Sequence, residues 1–96
     1  MNNKYNELLK YSDPNIVYSK AKKLFGDNIK IKPSSRKNKK YQIELDNKWI
    51  HFGQMGYMDY TKHNDEKRRN NFINRNHKWV YRNYDSPAFL SYVLLW

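Results

Sequence analysis

The chain has no cysteine, three glycines, three prolines and no apolar run approaching the roughly 18 residues that span a bilayer. Each shortage excludes something. Without cysteine there is no disulfide framework and no thiolate metal site. Without a long apolar run no membrane partner is expected, and Met1 to Lys10 lack the apolar stretch of a signal peptide, so an intracellular location is expected. Acidic side chains are also scarce. Nine Asp plus Glu stand against 19 Lys plus Arg, a formal net charge of +10 on 96 residues. Such an excess costs self-repulsion in a compact state and is usually kept for a polyanionic partner.

What is present is flat aromatic surface among cations. Nine Tyr, four Phe and three Trp exceed what a small core needs, so a few rings are expected to stand free of it. Six cations and no carboxylate fall between Lys30 and Lys40, and a second cluster from Lys62 to Arg82 is interleaved with Phe72, Trp79 and Tyr81. Cations neutralise phosphates while rings stack on bases or wedge between them.

Asp13-Pro14 reads as an N-cap and first-turn proline for a helix that stops at Gly26, with Ile16, Val17, Ala21, Leu24 and Phe25 at helical spacing. Leu8 and Leu9 suggest a shorter helical turn before it. Ile29 and Ile31 alternate with lysines as a short strand ended by Pro33. Tyr41, Ile43 and Leu45 alternate with Gln42 and Glu44, turn at Asp46-Asn47, and return through Trp49 to Phe52, which predicts a β-hairpin. Gly53 and Gly56 bracket a bend. A helix is expected over 65–75, capped by Asn64 or Thr61, then an extended or irregular stretch over 79–84. Ser86-Pro87 opens a last short helix that closes the core through Phe89, Leu90, Val93, Leu94 and Trp96.

The fold class expected is α+β: a small antiparallel sheet with a helix over 65–75 and short helices at either end. Composition shifts near Ser34, so residues 1–33 read as a helical appendage and 34–96 as the basic unit, the two forming one compact domain.

For chemistry, the loop Ser34 to Lys40 reads as a phosphate-tracking arm that orders on contact, through Arg36, Lys37, Lys39 and Lys40. On the second helix Phe72 and Ile73 face the core. Arg68 and Arg75 share a flank suited to phosphates or base edges, and Arg69 is free to pair with Asp65 or Glu66. Lys62, Lys78 and Arg82 extend the set of phosphate contacts. Trp79, Tyr81 and Tyr84 are the candidates for a stacking or wedge residue, Tyr81 and Tyr84 ahead of Trp79. His51, His63 and His77 with Asp59, Asn64 and Asn76 raise a metal-nuclease reading. It fails for want of a second ligand one turn from His77 and because the surrounding cations repel a metal. Gly53 to Gly56 lacks phosphate-loop spacing. No catalytic residue, metal or cofactor is expected.

The phrases SSRKNKKY, KWIHFGQMGY, DYTKH, DEKRRNNF, RNHKW and SPAFLSYVLLW resemble an uncharacterised family of small proteins from large nucleocytoplasmic DNA viruses. His77-Lys78-Trp79 followed by Pro87-Ala88-Phe89 is similar to the methanogen monomeric chromosomal protein, a basic architectural protein that bends DNA. Here Phe89 stands where that family favours Trp, and residues 1–33 have no counterpart. The viral family brings little function of its own, whereas the methanogen similarity implies a strongly twisted, pseudo-barrel-like sheet with one packed helix and an architectural role. Together they imply a viral architectural protein acting in the nucleus or viral factory of an infected cell or packaged in the virion. Double-stranded DNA is the expected partner of a monomer, bound with low sequence specificity. A virion-structural or protein-docking module and an RNA binder using Tyr41 and Tyr57 are the alternatives.

Overall fold

The computed structural model describes residues 3–96. Helix α1 (Asn3–Leu8) leads into α2 (Pro14–Phe25), where the Asp13 carboxylate accepts from Asn15 N at 3.1 Å and Pro14 needs no donor. Gly26, at φ 100, ends α2 in a conformation that glycine adopts without a Cβ clash. Strands β1 (Lys30–Pro33), β2 (Lys39–Leu45) and β3 (Lys48–Gln54) form an antiparallel sheet in the order β1-β2-β3. Asp46 and Asn47 both take positive φ, 53 and 65, the mirror-image turn that matches the twist of paired strands. One-turn helix α3 (Tyr60–His63), helix α4 (Glu66–Asn76), a 3₁₀ turn (His77–Tyr81) and α5 (Pro87–Leu95) follow. The α+β class read from the sequence is the class observed.

The period-two pattern of the hairpin decides where the core lies. Tyr41, Ile43 and Phe52 are wholly enclosed, joined by Leu8, Val17, Ala21, Leu90 and Leu94. Tyr41 and Phe52 face each other across β2 and β3 with rings stacked at 5.7 Å, and Tyr18 meets Tyr41 edge-on at 5.9 Å. Such pairs add specificity to the area they remove from water. Helix α5 packs on β3 and on α2, while the 3₁₀ turn and α4 pack outside it.

Several expectations are corrected here. Residues 3–33 do more than append to the sheet: they contribute edge strand β1 and three core side chains, because a sheet this small leaves its apolar face open without them. The helix expected to pack, α4, buries no residue completely, and α2 and α5 carry that role. On α2, Ile16 and Leu24 are exposed. The cap of α4 is Asp65, whose carboxylate accepts from Lys67 N and Arg68 N, whereas Asn64 ends α3 in the left-handed region and Thr61 lies inside α3. Trp79, Val80 and Tyr81 lie on a 3₁₀ turn, so of the two forms expected for 79–84 this part is not extended.

Gly53 lies within β3 rather than in the following bend, at φ 82. A Cβ there would meet Leu95 Cδ1 at 2.9 Å and Lys40 Cβ at 3.1 Å. Gly53→Ala is therefore expected to destabilise the fold by about 1–3 kcal/mol, seen as a lower urea midpoint with unchanged slope.

Candidate nucleic-acid interface

The α4 sequence decides which of its faces meets solvent. At about 100° per residue, Arg69, Phe72, Ile73 and Asn76 share one arc and are half-buried. The opposite arc, about 160° wide, carries Lys67, Arg68, Asn70, Asn71, Asn74 and Arg75, all exposed. Its carboxylates are confined to the start of the helix, where the dipole favours them: Asp65 caps it and lies 3.8 Å from Arg68 Nε, and Glu66 accepts from Tyr60 OH.

Beyond α4 the chain tightens into the 3₁₀ turn. Trp79 anchors that turn, half-buried and edge-on to Phe72 at 5.6 Å, and Phe72 in turn stacks on Trp96 at 4.3 Å and 6°. With Trp79 inward, its neighbours point out: Val80 is 42% and Tyr81 85% exposed, between the exposed Lys78 and Arg82. Tyr84 is also exposed, and its hydroxyl donates to the Asp46 carboxylate at the hairpin turn. Tyr81 is thus the free ring, Trp79 an anchor and Tyr84 a tether. Beside the turn, a cleft of about 250 Å³ opens between Trp79, Phe72, Leu95 and the end of β3.

Two of the cations expected at the interface are committed elsewhere. Lys40 is 2% exposed, and its ammonium donates to Asp59 Oδ2 at 3.1 Å deep in the protein. Burial pulls that ammonium below its ordinary value, and the Asp59 carboxylate opposes the shift. Arg69 turns inward, donating from Nε to the Trp96 carbonyl at 2.9 Å and lying over the Tyr60 ring at 5.2 Å, rather than pairing with Asp65 or Glu66.

Asp59 heads a network that the sequence did not disclose. Its Oδ1 accepts from Thr61 N at 3.1 Å and from the Thr61 hydroxyl. The Thr61 oxygen accepts from Asp13 N at 2.9 Å and lies 3.2 Å from Ser12 Oγ, which accepts from Tyr41 OH at 2.7 Å. Ser12, Tyr41, Asp59 and Thr61 are all buried, so the α1–α2 junction, β2 and α3 are fastened by one chain of donors and acceptors. Burial pushes the Tyr41 phenol up, which keeps it a donor, and its enclosure removes Tyr41 from any stacking role. Tyr57 is 71% exposed.

The loop expected to order on contact is already ordered. Lys4 Nζ donates to the carbonyls of Arg36 and Lys39, each at 2.6 Å, Ser35 N donates to Gln42 Oε1 at 2.7 Å, and Met55 N donates to Asn38 O at 3.0 Å. Arg36 and Lys37 remain exposed and Lys39 half-buried, as Lys62 is exposed on α3.

The histidines serve separate local ends. His51 Nδ1 lies 2.6 Å from Ser34 Oγ on the sheet, and His77 Nδ1 lies 3.1 Å from Asn74 O at the end of α4. His63 Nδ1 accepts from Asp65 N at 2.9 Å, so a neutral ring carries its proton on Nε2, beside Trp96 at 5.2 Å between centroids. Burial, then Arg68, holds His63 below its ordinary value. Among the described residues no three His, Asp or Glu side chains converge as metal ligands, and no helix is long and apolar enough to cross a membrane.

This geometry defines a small α+β protein whose outer helix and 3₁₀ turn present cations, amides and a free tyrosine to solvent. The chain belongs to a family of unknown function (DUF5754), matched over residues 29–76, which run from just before β1 to the end of α4. Neither a curated protein nor a solved structure matches it.

Proposed function

We propose that the protein is a non-enzymatic binder of double-stranded DNA with low sequence specificity. In this reading Lys67, Arg68, Arg75, Lys78 and Arg82 meet phosphates while Tyr81 and Val80 press against the sugars or a base step. The observation that carries it is the solvent-facing Val80-Tyr81 tip, seated by the contact of Trp79 with Phe72 and flanked on both sides by cations. An apolar tip between two phosphate-binding side chains is the arrangement that unstacks a base step and kinks the duplex. The exposed Asn70, Asn71 and Asn74 support the same reading. Each lowers helix propensity by several tenths of a kcal/mol relative to Ala, and none packs against the core. The sequence similarity to the methanogen monomeric chromosomal protein points the same way.

The test is fluorescence anisotropy on a random-sequence duplex across a salt series. Five phosphate contacts give a slope of log affinity against log salt of about −4.5, so a fourfold rise in salt weakens binding by about 500-fold. A flat salt response sinks the reading. Tyr81→Ala is expected to keep that slope and to reduce the bend reported by energy transfer between dyes on the duplex ends. An unchanged bend removes Tyr81 from the wedge role.

A further inference from the structure

The sheet has a second face. Register places Lys30, Glu44 and Trp49 in one row across the three strands and Lys32, Gln42 and His51 in the next, all opposite the core-facing Tyr41, Ile43 and Phe52. Trp49 is 39% exposed, and the Lys32 ammonium reaches across β2 to lie 5.0 Å from the centroid of its ring. His51 sits two residues along the same strand, its ring fixed through Nδ1 by Ser34. Burial, then Arg36, Lys4 and Lys39, holds that imidazole below its ordinary value, leaving a neutral flat ring at pH 7. The one carboxylate on the face, Glu44, lies 3.9 Å from Lys30.

We propose that this open sheet face is a second nucleic-acid site, for single-stranded DNA, in which an unpaired base stacks on Trp49 while Lys30, Lys32 and Arg36 meet the flanking phosphates. The occupant follows from shape and charge. Trp49 lies within strand β3 rather than on a tip, so it can stack on a base already splayed out but cannot enter a closed duplex. The cations around it suit a phosphate chain and oppose docking of an apolar or basic protein surface. In the free protein Lys32 covers the ring. On binding, its ammonium exchanges the ring for a phosphate, and the base takes its place. The site stands apart from the α4 surface, whose helix and 3₁₀ turn pack outside α5, and it does not depend on the duplex reading.

The experiment titrates the full chain with a 12-nucleotide oligo(dT), following tryptophan fluorescence and anisotropy, beside Trp49→Ala, Trp49→Phe and Lys30→Glu/Lys32→Glu. Trp49→Ala is expected to weaken oligo(dT) binding roughly tenfold and Trp49→Phe to retain most of it, as stacking requires. Quenching on binding is expected to vanish in both Trp49 variants, although Trp79 and Trp96 remain. The lysine reversals are expected to lower the salt slope by about 1.4, two single-strand contacts' worth. All variants are expected to melt at the temperature of the parent and to bind random duplex as it does. Oligo(dT) binding that ignores Trp49, or no oligo(dT) binding, overturns the site. Tighter binding of oligo(U) assigns the face to RNA and overturns the DNA assignment. Equal loss of duplex binding in Trp49→Ala shows one shared surface and overturns the second site, whereas loss of duplex binding in the parent alone overturns only the α4 reading.

Discussion

Asp59→Ala is expected to lower the unfolding free energy by about 3–5 kcal/mol, the cost of leaving a buried charge without its partner. The Lys40 ammonium reaches Asp59 Oδ2 at 3.1 Å with both side chains almost wholly enclosed, so water cannot replace the lost carboxylate without opening the site. The substitution also removes the acceptor of Thr61 N and of the Thr61 hydroxyl, and with it the cap of α3. Against a total stability of about 5–15 kcal/mol for a single domain, that loss removes about a fifth or more of the margin. Urea titration followed by circular dichroism measures it. The pairing cycle sharpens the assignment. Lys40→Met leaves Asp59 charged and is expected to cost a similar amount, while Lys40→Met with Asp59→Ala costs less than the sum, because no charge is stranded. Strict additivity would show that the two side chains act independently.

Replacing Arg75 and Lys78 together by Glu is expected to weaken duplex binding by at least about 100-fold at low salt, since each lost charge-assisted contact contributes about 1.5–3 kcal/mol. The salt slope is expected to fall in magnitude by about 1.8, from two fewer displaced counterions. Both side chains are exposed on the outer surface of α4 and the 3₁₀ turn, so the melting temperature serves as a control for folding. The same reversal at Lys22 and Lys23, exposed on α2, is expected to change the slope far less. If the two pairs of reversals act equally, affinity follows net charge rather than a surface, and the α4 assignment fails.

The elements that rest on local chemistry were legible in the sequence. Asp13-Pro14, Asp46-Asn47 and Ser86-Pro87 each name a backbone geometry without reference to anything distant, and each stands where its residues indicated. The inward stripe of α4 was legible for the same reason, since 3.6-residue periodicity needs no partner to be read. What escaped was long-range. Lys40 looked like one cation in a run of six. Only the approach of Asp59, 19 positions later, converts it into an interior residue. Asp59 itself drew attention only beside the histidines as a metal ligand. Position in the strand held a signal: Lys40 lies inside β2, one residue past its start, while Arg36 and Lys37 precede it in the loop. Charge density alone cannot separate them.

The open face of the sheet was missed because Lys30 and Lys32 lie on one strand, Trp49 on another, and register brings them together. The exposed ring at position 81 was within reach. A tryptophan in a small domain tends inward, and Trp79 packs edge-on against Phe72, leaving Tyr81 outside. The 3₁₀ turn that separates the two was not, because its tightness follows from the packing of Trp79.

Lys4 has a consequence for the kinetics of any encounter at the β1–β2 loop. With the Arg36 and Lys39 carbonyls converging on a single ammonium, the segment bearing Arg36 and Lys37 is cast before a partner arrives. Docking there surrenders little backbone freedom, so capture should follow collision without a slow search among loop shapes.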